Sequence, residues 1–208
     1  MQSPEHPPPI PDWLRALMAE VGPRWGSDVP SNVALMVKHF TPLLAQAPKQ
    51  GVEVTRNIAY AEHPRQQLDV YAANDGAAQP VVVFVHGGAF VDGTRNRSAE
   101  IYANVLYYFA RHGVVGVNIE YRLAPDCPYP AGSEDVRLAV AWVKSNIAHF
   151  GGDPRRVFVA GHSAGAAHAA GYAYTTADVA GLIVLSGRVR ADNSAENPNA
   201  RKVEAYYG

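Results

Sequence analysis

Short apolar runs recur along the chain from residue 52 onward, separated by longer mixed segments. Four runs are almost wholly apolar: Val81–Val85, Val114–Ile119, Val157–Ala160 and Leu182–Leu185. Strands buried on both faces of a parallel sheet have this composition, so each run predicts such a strand. Val52–Tyr60 and Gln67–Tyr71 instead alternate between apolar and polar residues, which predicts half-buried strands.

The intervals between these runs have helical periodicity. One apolar helical face precedes Gly113 and consists of Ile101, Val105, Tyr108 and Phe109. A second face ends at the glycine pair 151–152 and consists of Val136, Val140, Val143 and Ile147. Strands that alternate with helices predict an α/β fold, a three-layer sandwich in which helices cover both faces of a mostly parallel sheet.

The first 50 residues differ from the rest of the chain. Seven of the 16 prolines lie within the first 30 residues, which predicts an extended start. Two helices are predicted next: Trp13–Glu20, with Asp12 as its N-cap, and Ser31–Gln46. We therefore predict a helical appendage or cap over residues 1–50 and an α/β core over residues 51–208.

Composition narrows the functional classes. The chain has 208 residues and a formal net charge of −1, so neither nucleic acid nor an anionic membrane surface is an expected partner. Cys127 is the single cysteine, and no secretory signal or membrane span is recognisable, so we expect a cytoplasmic protein. Paired metal ligands such as H-E-x-x-H or C-x-x-C do not occur in the sequence, and we expect no metal or cofactor.

One short motif carries candidate chemistry. Gly161–Gly165 reads G-H-S-A-G and lies between a predicted strand and an alanine-rich helix. A sharp turn with small neighbours lifts the serine hydroxyl above the sheet, and the helix directs N–H groups towards developing negative charge. Ser163 is therefore a candidate nucleophile. Two other interpretations are a serine that only caps the helix and a dinucleotide-binding turn, which would need glycine in place of Ser163.

A second glycine-rich loop follows the third predicted strand. Residues 86–90 read H-G-G-A-F. Acyl transfer needs two or more N–H donors aimed at the oxyanion, and a loop of small residues at this place is typical of such donors. An ordinary glycine turn at a strand end is the alternative.

These motifs, with the intervening Tyr121–Pro125 (Y-R-L-A-P), resemble the hormone-sensitive-lipase-like carboxylesterase group of α/β-hydrolases. The resemblance covers roughly residues 52–187 and extends to kynurenine-formamidase-like and feruloyl-esterase-like relatives. It implies Ser163 as the nucleophile. It also implies an oxyanion hole built from Gly87, Gly88, Ala89 and Ala164, in which Gly87 shapes the loop. Two departures from the group's pattern are Ala89 for the third glycine and Asp126 for a glutamate.

Several charged residues near the motifs have a structural interpretation. We predict that Arg122 and the acidic pair Glu134-Asp135 tie the loop after the fourth strand to the next helix, with Tyr121 beside them and Ser133 as the helix cap.

The sequence offers no catalytic base in the usual position. In α/β-hydrolases the triad runs Ser, then Asp or Glu, then His, yet no histidine follows His168. We interpret His86, His162 and His168 as structural, since His168 lies about 140° around the helix from Ser163. The acid and histidine are therefore expected from a segment beyond residue 208, together with the last strands of the sheet. An unpaired apolar edge strand favours pairing, with a second polypeptide or with another copy in a homodimer.

The predicted function is serine-dependent hydrolysis of a small carboxylic ester. An aryl formamide is an alternative substrate. A non-catalytic ligand-binding module with the same fold is the alternative from another class, because loss of one triad member leaves only residual catalysis.

Overall fold

The computed structural model describes residues 9–73, 76, 78–176, 178–187 and 190–208. Its centre is a six-stranded sheet of β1 (Glu53–Ala59), β2 (Gln67–Ala72), β3 (Gln79–Val85), β4 (Val115–Ile119), β5 (Gly152–His162) and β6 (Gly181–Leu185). The strand order is β1-β2-β4-β3-β5-β6. The pairs β1–β2 and β2–β4 are antiparallel, and the other three pairs are parallel. The predicted, mostly parallel sheet is confirmed.

Six α-helices accompany the sheet in the described ranges: α1 (Asp12–Val21), α2 (Val29–Leu44), α3 (Ala103–Arg111), α4 (Ala131–Asn146), α5 (Ala164–Thr176) and α6 (Ala200–Tyr207). Short 3₁₀ helices cover Gly22–Ser27 and Ile147–Phe150. Gly151 ends the second of these in a left-handed conformation with φ of 80°, which glycine adopts without strain. None of the helices in these ranges combines the length and apolarity that crossing a bilayer requires.

Two apolar layers cover the faces of the sheet. On one face, α4 and α5 pack against the strands through residues such as Val136, Val140 and Tyr172. On the other face, α3 packs through Leu106 and Ala110. Helices on both sides of the sheet make the three-layer α/β arrangement that the alternating pattern predicts.

Two predicted helix caps are wrong. Asp12 lies inside the first turn of α1, whose N-cap is Pro11, and Ser133 lies inside the first turn of α4, whose N-cap is Pro130. A proline has no N–H to leave unpaired at a helix start, so these helices begin earlier than a search for polar caps suggests. α2 also begins earlier, at Val29, because the Asp28 side chain accepts a hydrogen bond from the Ser31 N–H. The predicted extended start falls mostly on residues 1–8, outside the described residues.

The prediction that β6 is buried on both faces is also wrong. β6 pairs with β5 at one edge of the sheet, and its residues Leu182–Leu185 are 38–43% exposed. Val105 and Tyr108 of α3, predicted to face the core, are 36% and 55% exposed, since Leu106 and Ala110 occupy the buried face. An apolar groove of about 440 Å³ lies here and is lined by residues that include Phe84, Val105, Tyr108, Ile183 and Leu185. In the described part of the chain, nothing covers this groove.

The structural interpretation of Arg122 and Asp135 is confirmed. Asp135 is fully buried and accepts hydrogen bonds from the Arg122 N–H at 2.7 Å and Nε at 2.9 Å. It also accepts one from Gln66 Nε2 at 2.7 Å. Three donors therefore converge on one carboxylate, which ties the loop after β4 to α4.

Replacing Asp135 by asparagine is expected to lower the free energy of unfolding by about 2–4 kcal/mol, because the Arg122 guanidinium then lacks its buried partner. Urea unfolding at neutral pH measures the change. Glu134→Gln is the matched control: its carboxylate is exposed and lies 3.5 Å from the same guanidinium, so a change below about 0.5 kcal/mol is expected. Equal changes in the free energy of unfolding for the two substitutions would show that the buried contact stabilises the protein no more than the exposed one.

Candidate active site

Ser163 occupies the sharp corner between β5 and α5. Its φ is +54°, a region that residues other than glycine rarely adopt. Its N–H donates to the Leu185 carbonyl at 2.9 Å, and its own carbonyl accepts from the Ala166 N–H at 3.0 Å. These bonds hold the strained corner in place, and strain of this kind concentrates at functional sites.

Two glycines of the motif are required by close packing. A Cβ built on Gly161 would lie 2.5 Å from the Gly165 carbonyl oxygen and the Ala166 Cα. A Cβ built on Gly165 would lie 2.3 Å from the carbonyl oxygens of Val85 and His86. The start of α5 therefore approaches the ends of β3 and β5 so closely that no side chain fits at either position.

The glycine-rich loop after β3 runs beside the nucleophile. A Cβ on Gly87 would lie 3.0 Å from the Ser163 Cβ, and one on Gly88 would lie 1.7 Å from the Asp92 carbonyl oxygen. Ala89 has a φ of +49°, and the Asp92 N–H donates to the Gly88 carbonyl at 3.0 Å. The loop is thus a tight turn that only a glycine at position 88 permits.

A cavity of about 570 Å³ brings most of the predicted site residues together. Its lining includes Ser163 and the loop residues Gly87, Gly88 and Ala89. The helix α2 forms an apolar wall opposite them with Val29, Pro30, Val33, Ala34 and Val37. Arg97 and Lys202 add positive charge to the lining, and Asp92 adds negative charge. The arrangement suits a small molecule with an apolar part and a polar reacting centre.

The backbone donors near Ser163 differ in their availability. In the hydrogen bonds formed among the described residues, the N–H groups of Gly88 and Ala89 have no acceptor, whereas the Gly87 N–H donates to the Tyr102 hydroxyl at 3.3 Å. Ala164 is buried beside Phe90 as the first residue of α5, where an N–H has no intrahelical acceptor. Among the described residues, the N–H groups of Gly88, Ala89 and Ala164 are thus without an acceptor, whereas that of Gly87 has one.

The three histidines of this region are engaged away from the Ser163 hydroxyl. His162 Nδ1 lies 3.2 Å from the Tyr102 hydroxyl, and burial, followed by the positive charge of His86, lowers the pKa of His162. His168 Nδ1 lies 3.2 Å from the Tyr206 hydroxyl, and His86 Nε2 lies 2.7 Å from Glu120 Oε1. Within the described residues, no hydrogen bond joins a histidine to Ser163 Oγ, as the sequence predicted.

Sequence reasoning missed two residues of the site. Tyr102 has a φ of +71°, and its hydroxyl lies between the Gly87 N–H and His162. Burial raises the pKa of Tyr102, so the hydroxyl stays protonated. Glu120 is buried and contacts His86. Only its position directly before the Y-R-L-A-P motif could have identified Glu120 as a site residue. No feature of the sequence identifies Tyr102.

The burial of His168 predicts that the protein loses stability in mild acid. Burial, with a smaller contribution from the charge of His86, lowers its pKa to about 3. An unfolded histidine titrates near 6.5, so between these values only the unfolded state binds the proton, and the contribution of His168 to stability is lost as the pH falls below 6.5. We expect the free energy of unfolding to fall by roughly 1.5 kcal/mol from pH 6.5 to pH 5 on this account.

Urea unfolding at several pH values measures this slope. His168→Gln cannot titrate and should show a flatter dependence over the same interval. An unchanged slope in the variant would contradict the assignment of this titration to His168.

Within the ranges that the structure describes, no three histidine, cysteine, aspartate or glutamate side chains are placed to hold one ion.

Comparisons with known proteins agree with the geometry. The family model described as BD-FAE matches residues 68–208. Esterase LipC of Mycobacterium tuberculosis (strain ATCC 25618 / H37Rv) is 42% identical over 112 residues, which are 53% of this chain and 27% of that protein. The probable isoprenylcysteine alpha-carbonyl methylesterase ICMEL1 of Oryza sativa subsp. japonica is 38% identical over 115 residues, 55% of this chain and 26% of that protein.

Solved structures show the same likeness. The hyperthermophilic esterase from the archaeon Pyrobaculum calidifontis matches with a TM-score of 0.67 and 25% identity, over 96% of this chain and 71% of that chain. The resemblance to the hormone-sensitive-lipase-like esterases is thereby confirmed. The chain spans about a quarter of the length of the two curated relatives named above.

Proposed function

We propose that this chain, which belongs to the BD-FAE family, hydrolyses small carboxylic esters through a covalent acyl-enzyme on Ser163. One observation carries the proposal: across a single cavity, a serine on a strained strand-to-helix corner faces a glycine-rich loop with two unengaged N–H groups. Acyl transfer needs this pairing of an exposed nucleophile with fixed donors.

The proposed reaction has two halves. Ser163 Oγ attacks the ester carbonyl and loses its proton to a base, while the N–H groups of Gly88, Ala89 and Ala164 stabilise the oxyanion. The C–O bond to the alcohol breaks, the alcohol takes the proton, and the acyl group remains on Ser163. A water molecule then attacks the acyl-enzyme, and the carboxylic acid and the free serine are released.

We assign the base and its supporting acid to a segment beyond residue 208. Two observations support this: the histidines near Ser163 have other partners, and the apolar edge strand β6 is exposed along its length. A further strand beside β6 would cover it and bring new side chains to the same end of the sheet. A second polypeptide or a second copy of this chain is the alternative source.

The helical segment over residues 1–50 acts in this proposal as a cap. Its second helix, α2, forms the apolar wall of the cavity with residues that include Val33 and Val37. An acyl chain of the substrate would lie against this wall, because apolar surface there is otherwise exposed to water. The cytoplasm is the proposed location, on the basis of the single cysteine.

Turnover of p-nitrophenyl butyrate tests the function. Purified protein is assayed as the 208-residue chain and, in parallel, together with whatever sequence its gene encodes after residue 208. We expect the longer form to hydrolyse the ester much faster. An aryl formamide cleaved in preference to the ester would favour the formamidase alternative.

Two other outcomes would contradict parts of the proposal. Full activity of a 22.4-kDa species with no companion peptide, judged from its intact mass, would refute the external base. Binding of the ester without turnover in either form would favour the non-catalytic module. One observation supports that alternative: among the described residues, the histidines near Ser163 have partners other than its hydroxyl.

A further inference from the structure

His86 lies at the end of β3 and is fully buried, directly before the glycine-rich loop. Its Nδ1 is 2.9 Å from the carbonyl oxygen of Gly87, and its Nε2 is 2.7 Å from Glu120 Oε1. A carbonyl and a carboxylate can only accept hydrogen bonds. Each ring nitrogen must therefore donate, and an imidazole that donates from both nitrogens is a cation.

Protonation of Glu120 instead of His86 would also satisfy the shorter contact, but the surroundings of Glu120 oppose it. The carboxylate accepts hydrogen bonds from Arg65 Nη2 at 2.5 Å, Thr94 Oγ1 at 2.8 Å and the Arg95 N–H at 3.2 Å. Oε1 faces the Arg65 cation and Oε2 accepts from Thr94 and Arg95, and these surroundings favour the ionised carboxylate. Glu120 is therefore ionised, and the shared proton belongs to His86.

We propose that Glu120 holds His86 as an imidazolium that positions the oxyanion loop. The role of the loop rests on the proposed function, whereas the charge of the ring rests on the contacts alone. His86 contacts no reacting atom in this proposal and is a positioning residue.

The ring fixes the loop through the Gly87 carbonyl. That carbonyl accepts from Nδ1, and Gly93 approaches so closely that a Cβ there would lie 2.4 Å from the same oxygen. The orientation of the Gly87–Gly88 peptide is therefore set from the buried side, which leaves the Gly88 N–H to face the cavity. Tyr121 adds a third constraint, since its ring stacks on His86 at 4.3 Å and its hydroxyl donates to the His86 carbonyl at 2.9 Å.

The other groups around the ring do not supply a competing anion. Arg65 and Arg95 approach Glu120, with Arg95 Nη1 at 3.7 Å from Oε2. Tyr102 lies with its ring 6.2 Å away, and Tyr121 is a neutral hydroxyl because burial raises its pKa. The remaining titratable neighbours are His162 and His168, whose pKa values are lowered by burial and by the charge of His86. Among the described residues, Glu120 is thus the single carboxylate that contacts the ring.

Nitrogen-15 NMR of histidine-labelled protein tests the charge directly. The ring signals of His86 should show both nitrogens protonated at pH 7, the state that the two acceptors require. A neutral tautomer at pH 7 would overturn the proposal. This measurement does not depend on ester hydrolysis. If the ring is charged but the protein has no esterase activity, the proposed function is contradicted and the charge of His86 is still confirmed.

Glu120→Gln tests the coupling of charge and loop. With an uncharged partner, the ring signals should show a neutral imidazole at pH 7, and kcat should fall while KM changes less. A ring that stays doubly protonated in Glu120→Gln while kcat falls would assign the loss to structure alone and would overturn the positioning by charge. Arg65→Gln is the control, since it removes a cation and leaves Glu120, so the ring should stay charged. If Glu120→Gln does not fold, the parent spectra decide the charge.

Discussion

Replacing Ser163 by alanine is expected to lower kcat/KM for p-nitrophenyl butyrate by about 10³-fold or more in whichever form of the protein is active. The substitution removes the atom that becomes acylated, while the backbone donors and the cavity remain. Substrate can then bind, but only the residual catalysis of a preorganised pocket is left. Steady-state kinetics with parent and variant at equal concentration measures the loss.

Ser145→Ala is the matched control for this prediction. Ser145 is an exposed residue of α4 whose hydroxyl donates to the Ala141 carbonyl at 3.1 Å, and it does not line the cavity. Its replacement should leave kcat/KM unchanged. If the Ser163 variant retains most of its activity with an unchanged unfolding curve, the nucleophile is another group.

Replacing Gly88 by alanine is expected to lower kcat by about 10²-fold or more, because one displaced oxyanion donor costs this much. The added Cβ would lie 1.7 Å from the Asp92 carbonyl oxygen, which is backbone and cannot rotate away. The loop must therefore move, and the N–H groups of Gly88 and Ala89 move with it. KM should change less, since the apolar wall of α2 is untouched.

Gly26→Ala controls for the loss of a glycine as such. Nothing lies within 4 Å of a Cβ at Gly26, so the substitution has space and should leave kcat unaltered. The free energy of unfolding is measured for both variants, because a crowded substitution typically costs about 1–3 kcal/mol. A Gly88 variant with parental kcat would show that the loop does not supply the oxyanion donors.

The sheet and the nucleophile corner were accessible from the sequence because both leave local signals. Buried parallel strands are continuous apolar runs, and a serine between small residues at a strand end has few other uses. The exposure of β6 was not accessible, since Leu182–Leu185 has the same composition whether or not another element covers it. The predicted buried face of α3 was wrong for the same reason. Apolar residues that line an exposed groove have the same helical spacing as apolar residues that face the core.

The supporting contacts of the site depend on the folded topology. His86 and Glu120 are 34 positions apart and meet only because β3 and β4 are neighbours in the sheet. The Tyr102 hydroxyl reaches Gly87 from the turn before α3, and no motif marks it. The need for glycine at position 88 follows from the Asp92 peptide, four residues away, and not from the glycine pair itself.

Mass spectrometry of the protein after reaction with a fluorophosphonate shows whether Ser163 is a nucleophile that faces fixed backbone donors. The active form should gain the mass of one phosphonyl group, the modified peptide should contain Ser163, and ester hydrolysis should stop in proportion to labelling. Continued hydrolysis by fully labelled protein, or an adduct on a different residue that abolishes activity, would rule out Ser163 as the nucleophile.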